Sequence, residues 1–317
     1  MRLVSAAEID AALDFPALIE ALAQAFRSGA TAPTRHHHAI ARPGGAEATH
    51  LLMPAWTAPD APGDAFLGVK IVNVFPDNGR LGLPAVLGVY LLQSGETGAP
   101  LAAMDGTRLT HWRTAAASAL AARYLARADA HRLLLVGAGA LAPFLARAHA
   151  SVRPIRDVAI WNHRPAGAEK LAAALAGEGF RVTIAERLET AVGEADVISC
   201  ATLSTAPLIA GAWLRSGQHL DLVGAFNLQM READDLALQR ARIFVDTAAA
   251  LGEGGDVALA LRAGAILRAD VVADLAALCG GAPGRTGPEE ITLFKSVGAS
   301  LEDLAAAMLV WRRLPPS

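Results

Sequence analysis

The spacing of apolar residues along the chain shifts from helical to strand-like and then to a regular alternation of the two. Ser5-Ala6-Ala7-Glu8 reads as a capping box, in which each side chain satisfies an amide that a helix start leaves without a partner. After Asp14 and Pro16, Leu18, Ile19, Leu22 and Phe26 recur at helical spacing up to Gly29, which predicts an amphipathic helix pair. Residues 34–101 then carry short β-like runs, at 49–53, 68–75 and 86–92, set apart by Pro and Gly clusters; these predict antiparallel sheet. One helix is expected over 110–127, capped by Thr110 and rich in alanines that allow close packing.

Beyond the link Asp129-Ala130-His131, strand patterns at 132–136, 157–161, 181–185, 195–201, 219–223 and 243–246 alternate with helical stretches. That alternation predicts a parallel sheet with crossover helices. Residues 287–313 read as helical and follow the sheet, so they are expected to return to the first domain. The fold class is therefore α/β. A Rossmann-type doubly wound sheet is expected over 129–289, and an N-terminal α+β domain over 1–128 completed by 290–317.

Composition agrees with this picture. The 317 residues suit about two domains at roughly 150 residues each. An apolar content of 53% excludes disorder and a collagen-like chain. A formal charge of -3 offers no long-range attraction to nucleic acid or an anionic membrane, so a small ligand is expected. Cys200 and Cys279 are too few for a disulfide framework. Glu8 and Asp10 interrupt any leader-like apolar stretch, and the apolar run 133–146 is too short to span a bilayer; a cytoplasmic location is expected. Lysine occurs only as Lys70, Lys170 and Lys295, which makes each one conspicuous.

The strongest chemical signal is Leu133-Leu134-Leu135-Val136-Gly137-Ala138-Gly139-Ala140-Leu141-Ala142, a buried strand running into Gly-x-Gly-x-x-Ala. Gly137 makes the tight turn, Gly139 lets backbone approach a pyrophosphate, and Ala142 packs the helix close to the strand. The phosphates would rest on the helix N-terminus. The second strand ends in Asn162-His163-Arg164, where an NAD site commonly has an acidic residue on the ribose. Arg164 and Asn162 would instead bind a 2′-phosphate, favouring NADPH with NADH also usable; the alternative is a solvated Arg164. The turns at Thr202 and Gly224-Ala225 are expected at the carboxyl edge of the sheet, against the cofactor, although Thr202 also suits a plain turn.

Lys70, in the apolar run Leu67-Gly68-Val69-Lys70-Ile71-Val72, must pair with an anion or lose its proton if buried. Arg113 opens the alanine-rich helix and has the shape to fork onto a carboxylate. His36-His37-His38 invites a metal reading, which is rejected because adjacent strand residues face opposite ways and no further ligands cluster there. Glu302-Asp303 is read as a helix-start charge pair rather than as catalytic acids.

Taken in order, Gly68-Val69-Lys70-Ile71-Val72-Asn73, Gly82-Leu83-Pro84-Ala85, Leu109-Thr110-x-x-Arg113-Thr114-Ala115-Ala116-Ala117-Ser118, the Gly137 turn, Ala201-Thr202, Gly224-Ala225 with Arg231-Glu232, and Thr292-Leu293-Phe294-Lys295-Ser296-Val297-Gly298 resemble the ornithine cyclodeaminase and mu-crystallin family. The resemblance runs from about Arg35 to Ala307. It implies a Rossmann domain beside a substrate and dimerisation domain, in a homodimer. It further implies Arg35, Lys70 and Arg113 as substrate contacts, and Thr114, Gly137, Ala138, Gly139, Ala140, Asn162, His163, Arg164, Thr202, Gly224 and Val297 as the cofactor lining.

Within the family, cyclodeaminases, alanine dehydrogenases and ketimine reductases occur. This chain has Phe226 where the resemblance places a catalytic aspartate of cyclodeaminases, and Leu51 near where an acidic residue would align. An ammonia-eliminating enzyme needs that carboxylate base, whereas a ketimine reductase must chiefly hold a carboxylate and orient a ring. Phe226 then becomes an apolar wall of the substrate site. The reading is NADPH-preferring reduction of 1-pyrroline-2-carboxylate to L-proline, extending to 1-piperideine-2-carboxylate. The alternatives are a cyclodeaminase or alanine dehydrogenase, and a non-catalytic NADPH and ligand carrier.

Overall fold

The computed structural model describes residues 1–60 and 63–315, and the chain divides into two units, Met1–Thr114 with Ala299–Ser317 and Ala115–Gly298. The first begins with β1 (Arg2–Val4), α1 (Ala6–Ala12) and α2 (Phe15–Ser28). Ser5 and Glu8 form the capping box, with Glu8 N donating to Ser5 Oγ at 3.3 Å and Ser5 N to Glu8 Oε2 at 2.9 Å. Asp14 caps α2 through Ala17 N at 2.8 Å. Then follow β2 (Ala30–Thr31), β3 (His36–Ile40), β4 (Ala48–Thr57), β5 (Phe66–Val74), β6 (Val86–Ser94) and β7 (Pro100–Asp105).

Strands β4 to β7 pair antiparallel in sequence order, while β1 joins β7 in parallel. Alternation buries Phe66, Gly68 and Lys70 in the first half of β5, with Leu67 and Val69 half-buried between them. Met53, Lys70, Tyr90 and Met104 form one register row on this inner face. All four are buried.

Helix α3 (Gly106–Leu125) crosses the division of the chain. The second unit is then built from β8 (Arg132–Val136), α4 (Ala142–Val152), β9 (Asp157–Trp161), α5 (Pro165–Ala176), β10 (Arg181–Ile184), α6 (Leu188–Glu194), β11 (Val197–Cys200) and β12 (His219–Leu222). It continues through α7 (Asp235–Arg240), β13 (Arg242–Val245), α8 (Ala250–Glu253), α9 (Gly255–Arg262), β14 (Val271–Asp274), α10 (Leu275–Cys279) and β15 (Thr292–Lys295). The sheet is parallel with order β10-β9-β8-β11-β12-β15-β13-β14. Succession reverses between β8 and β11, the switch point outside whose carboxyl ends such sheets bind ligands.

Three expectations need correction. Residues 287–313 are not one helix. Thr292–Lys295 is strand β15, inserted between β12 and β13, and the helix α11 spans Ser300–Arg313. A four-residue strand buried on both faces carries no period-two pattern to reveal it. The division falls at Thr114 rather than after residue 128, because Ala115 onward packs into the second unit, where Ser118 Oγ donates to Asp221 at 3.0 Å. Thr110 is not a cap: the helix starts at Gly106, Asp105 receives Arg108 N at 2.8 Å, and Thr110 Oγ1 bonds back to Gly106 O. Helix α11 packs on α2, β4, β5 and β6 within the first unit.

Candidate functional site

In the second unit β8 runs into Gly137, whose φ of +105° is a conformation that disfavours side chains. A Cβ at Gly137 would also stand 2.8 Å from Ala201 O, so glycine brings the β8 and β11 turns together. At Gly139 a Cβ would meet nothing within 4 Å; the backbone faces open space. The amides of Gly139, Ala140 and Leu141 donate to no protein acceptor among the described residues, at the start of the eleven-residue helix α4. Bare backbone donors on the positive end of a helix fit a pyrophosphate, so the residues present suit a dinucleotide.

Asn162 braces this turn. Its Oδ1 accepts from Ala138 N at 3.2 Å and its Nδ2 donates to Arg164 O at 2.7 Å, so both ends of the amide are engaged within the loop. His163 and Arg164 are exposed at the end of β9, with Arg164 in the N-cap position of α5. Val297 lies in a small apolar cluster with Val245 and Ala250. Its amide and that of Gly298 donate to Asp246 Oδ2, each at 2.7 Å. Phe226, 41% exposed, follows the Gly224-Ala225 turn.

That turn is tied to Thr202 by a residue the sequence reasoning gave no role. Glu232, fully buried, receives Thr202 N at 2.7 Å and Thr202 Oγ1 at 2.8 Å on Oε1. Its Oε2 receives Gly224 N at 2.7 Å and Ala225 N at 3.3 Å. Asp256 accepts from the amides of Glu232 and Ala233, and Lys295 Nζ lies 3.1 Å from its Oδ2. Burial pushes the Glu232 carboxyl up to about 7, with Lys295 pulling it down and Asp256 pushing it up; four donors on its two oxygens favour the ionised form. The rarity of lysine, which made Lys295 conspicuous, was the available signal.

In the first unit Lys70 and Arg113 are both buried, and Glu302 and Asp303, from the first turn of α11, are their partners. Lys70 Nζ lies 2.9 Å from Asp303 Oδ1 and 2.7 Å from Oδ2. Arg113 Nε donates to Asp303 Oδ1 at 3.0 Å and Nη1 to Glu302 Oε2 at 2.8 Å. Reading Glu302-Asp303 as only a helix-start pair is therefore corrected: the helix start carries them onto the inner row of the sheet. Burial lowers the Lys70 ammonium to about 8 and Arg113 adds to this, while Asp303 and Glu302 hold it up. Tyr90, beside Lys70 in register, has its phenol pushed well above its usual value by burial and by the charge of Asp303.

Arg35 is half-buried directly before His36, the first residue of β3, which pairs with Leu52. His36, His37 and His38 are exposed, and among the described residues no group of three or more His, Cys, Asp and Glu could hold a metal ion. Thr114, half-buried, belongs to the first unit. Cys200 and Cys279 are buried free thiols. No helix among the described residues is long and apolar enough to cross a membrane.

Fold and turn together define a two-unit α/β protein of the dinucleotide-binding type. The chain matches the ornithine cyclodeaminase/mu-crystallin family over residues 1–316 and belongs to it. It is 35% identical over 324 residues to Delta(1)-pyrroline-2-carboxylate reductase of Colwellia psychrerythraea, covering 99% of each chain. Its fold superimposes with a TM-score of 0.92 on Delta(1)-pyrroline-2-carboxylate reductase of Thermococcus litoralis in complex with NADH and L-proline, at 32% identity over 99% of this chain and 97% of that one. An archaeal alanine dehydrogenase dimer with bound NAD superimposes with a TM-score of 0.90, at 30% identity over 99% and 95% of the two chains.

Proposed function

We propose that this protein is a nicotinamide-dependent oxidoreductase acting on C=N bonds, which reduces 1-pyrroline-2-carboxylate to L-proline and accepts the six-membered 1-piperideine-2-carboxylate. The observation that carries the reading is the buried quartet of Lys70, Arg113, Glu302 and Asp303, with two positive and two negative side chains. A cyclic ketimine acid protonated on nitrogen is a zwitterion, and it enters such a quartet without adding net charge. A keto acid brings an unbalanced negative charge, which burial penalises.

When bound, a nicotinamide would supply the hydride that C2 of the ring accepts. Arg113 and Lys70 hold the carboxylate, with Arg35 as a further contact. The Lys70 ammonium, lowered by burial to about 8, is matched to proton donation near neutral pH; the ring enters with one nitrogen proton, and we assign to Lys70 the second, taken up by the neutral amine that hydride addition leaves. Phe226 stands where a cyclodeaminase would need a carboxylate base. The similarity to alanine dehydrogenase supports a second reading, reductive amination of pyruvate.

Arg164, exposed beyond β9 with no carboxylate in Asn162-His163-Arg164, supports preference for NADPH over NADH. A homodimer is supported by the outer sheet face, where Leu52, Ile71 and Val89 share a register row and Val89 and Leu87 are 36% and 41% exposed.

The test follows NADPH and NADH loss with five- and six-membered 2-carboxylate imines, with pyruvate plus ammonia, and with 1-pyrroline-5-carboxylate, whose imine carbon lacks the carboxylate. Turnover of the 2-carboxylate imines with rejection of the 5-isomer is expected. Faster turnover of pyruvate plus ammonia overturns the substrate assignment. So does formation of ammonia and proline from ornithine and NAD without added imine.

A further inference from the structure

The last ladder bond between β11 and β12 is Val223 N to Cys200 O at 2.8 Å. Beyond it the chains leave the sheet, yet Thr202 and Gly224 stay in close contact: a Cβ on Gly224 would lie 2.1 Å from Thr202 O and 2.4 Å from Glu232 Oε1. What replaces the ladder is one side chain, with one carboxylate oxygen for each turn. Oε1 takes both donors of Thr202, and Oε2 takes the amides of Gly224 and Ala225. The segment bearing Glu232 is pinned in turn by Asp256, which accepts its amide at 2.7 Å and has Lys295 beside it.

We infer that Glu232 is a positioning residue for the cofactor: its carboxylate closes the two turns at the carboxyl edge of the sheet into one rigid rim against which the nicotinamide half is held. The inference rests on the proposed use of a nicotinamide cofactor. A carboxylate suits the task because it only accepts, on both ends. Glutamine has the same shape but must point its NH2 at one turn or the other, setting donor against donor.

The test is Glu232→Gln in the full chain, with steady-state kinetics on the 2-carboxylate imine and fluorescence titration of NADPH and NADH. Losing the acceptor for one turn is expected to raise the cofactor KM and Kd at least about tenfold, with the imine KM within about twofold of wild type. An unchanged cofactor KM, with loss confined to kcat and thermal stability, overturns the inference and leaves Glu232 a packing residue. Should the variant fail to fold, hydrogen exchange on the wild type decides. Strand-like protection of the Thr202, Gly224 and Ala225 amides supports the clamp, and loop-like exchange overturns it. A wild type that binds neither cofactor sinks the functional reading itself. A wild type that binds, matched by Glu232→Gln, sinks only this inference.

Discussion

Replacing Asp303 with asparagine tests the electrostatics of the buried quartet while hardly changing its volume. Asp303 is the anion nearest Lys70, at 2.7 and 2.9 Å, and it also receives Arg113 Nε. In the wild type, burial and Arg113 push Lys70 down and Asp303 and Glu302 hold it up, leaving it at about 8. The asparagine variant removes the closer of the two supporting charges. A hydrogen bond to a charged group contributes roughly 1.5–3 kcal/mol, and one pH unit corresponds to about 1.4 kcal/mol, so the ammonium should lose its proton about one to two pH units earlier.

A proton donor is active below its pKa, so the alkaline limb of kcat/KM moves to lower pH. At pH 8, where about half the wild-type ammonium is protonated, the variant loses roughly 5- to 50-fold; at pH 6 the same shift costs about twofold or less. The assay is imine reduction at saturating NADPH between pH 5.5 and 9. A loss of the same size at every pH would refute the assignment of Lys70 as the donor and leave Asp303 with only the orientation of Arg113. An unchanged profile would refute the electrostatic argument altogether.

Two glycine variants should separate folding from binding. Gly139→Val places its side chain in open space, so stability should stay within about 0.5 kcal/mol while NADPH affinity falls at least about tenfold, read by thermal melts and fluorescence titration. Gly137→Ala, at φ +105° and 2.8 Å from Ala201 O, should also lose about 1–3 kcal/mol of stability. His219 is fully buried, bonded to Thr292 Oγ1 at 3.0 Å, and held by burial at about 3. Its unfolded form binds a proton below about 6.5, so stability should fall as pH drops from there toward 3, by about 2 kcal/mol from this group between pH 7 and 5. Urea unfolding at the two pH values should show His219→Gln losing much of that dependence; an identical dependence would exclude His219 as its source.

Local sequence carried much of the molecule because its signals are short-range. The Ser5-Glu8 cap, the helix pair up to Gly29, the alternation within single strands and the run from Leu133 through Ala142 each depend on residues within about ten positions of one another. What sequence left open depends on packing across long separations. Asp303 lies 233 positions from Lys70 and 190 from Arg113, and it reaches them because α11 lies on the inner face of the sheet. Glu232 lies 30 positions from Thr202, and β15 enters the middle of a sheet already built from earlier strands. Lys70 alone said that a buried cation needs a partner or must lose its proton. Which anion meets it, and hence how readily it gives up that proton, is decided by tertiary structure, since the charges around a buried group set its pKa.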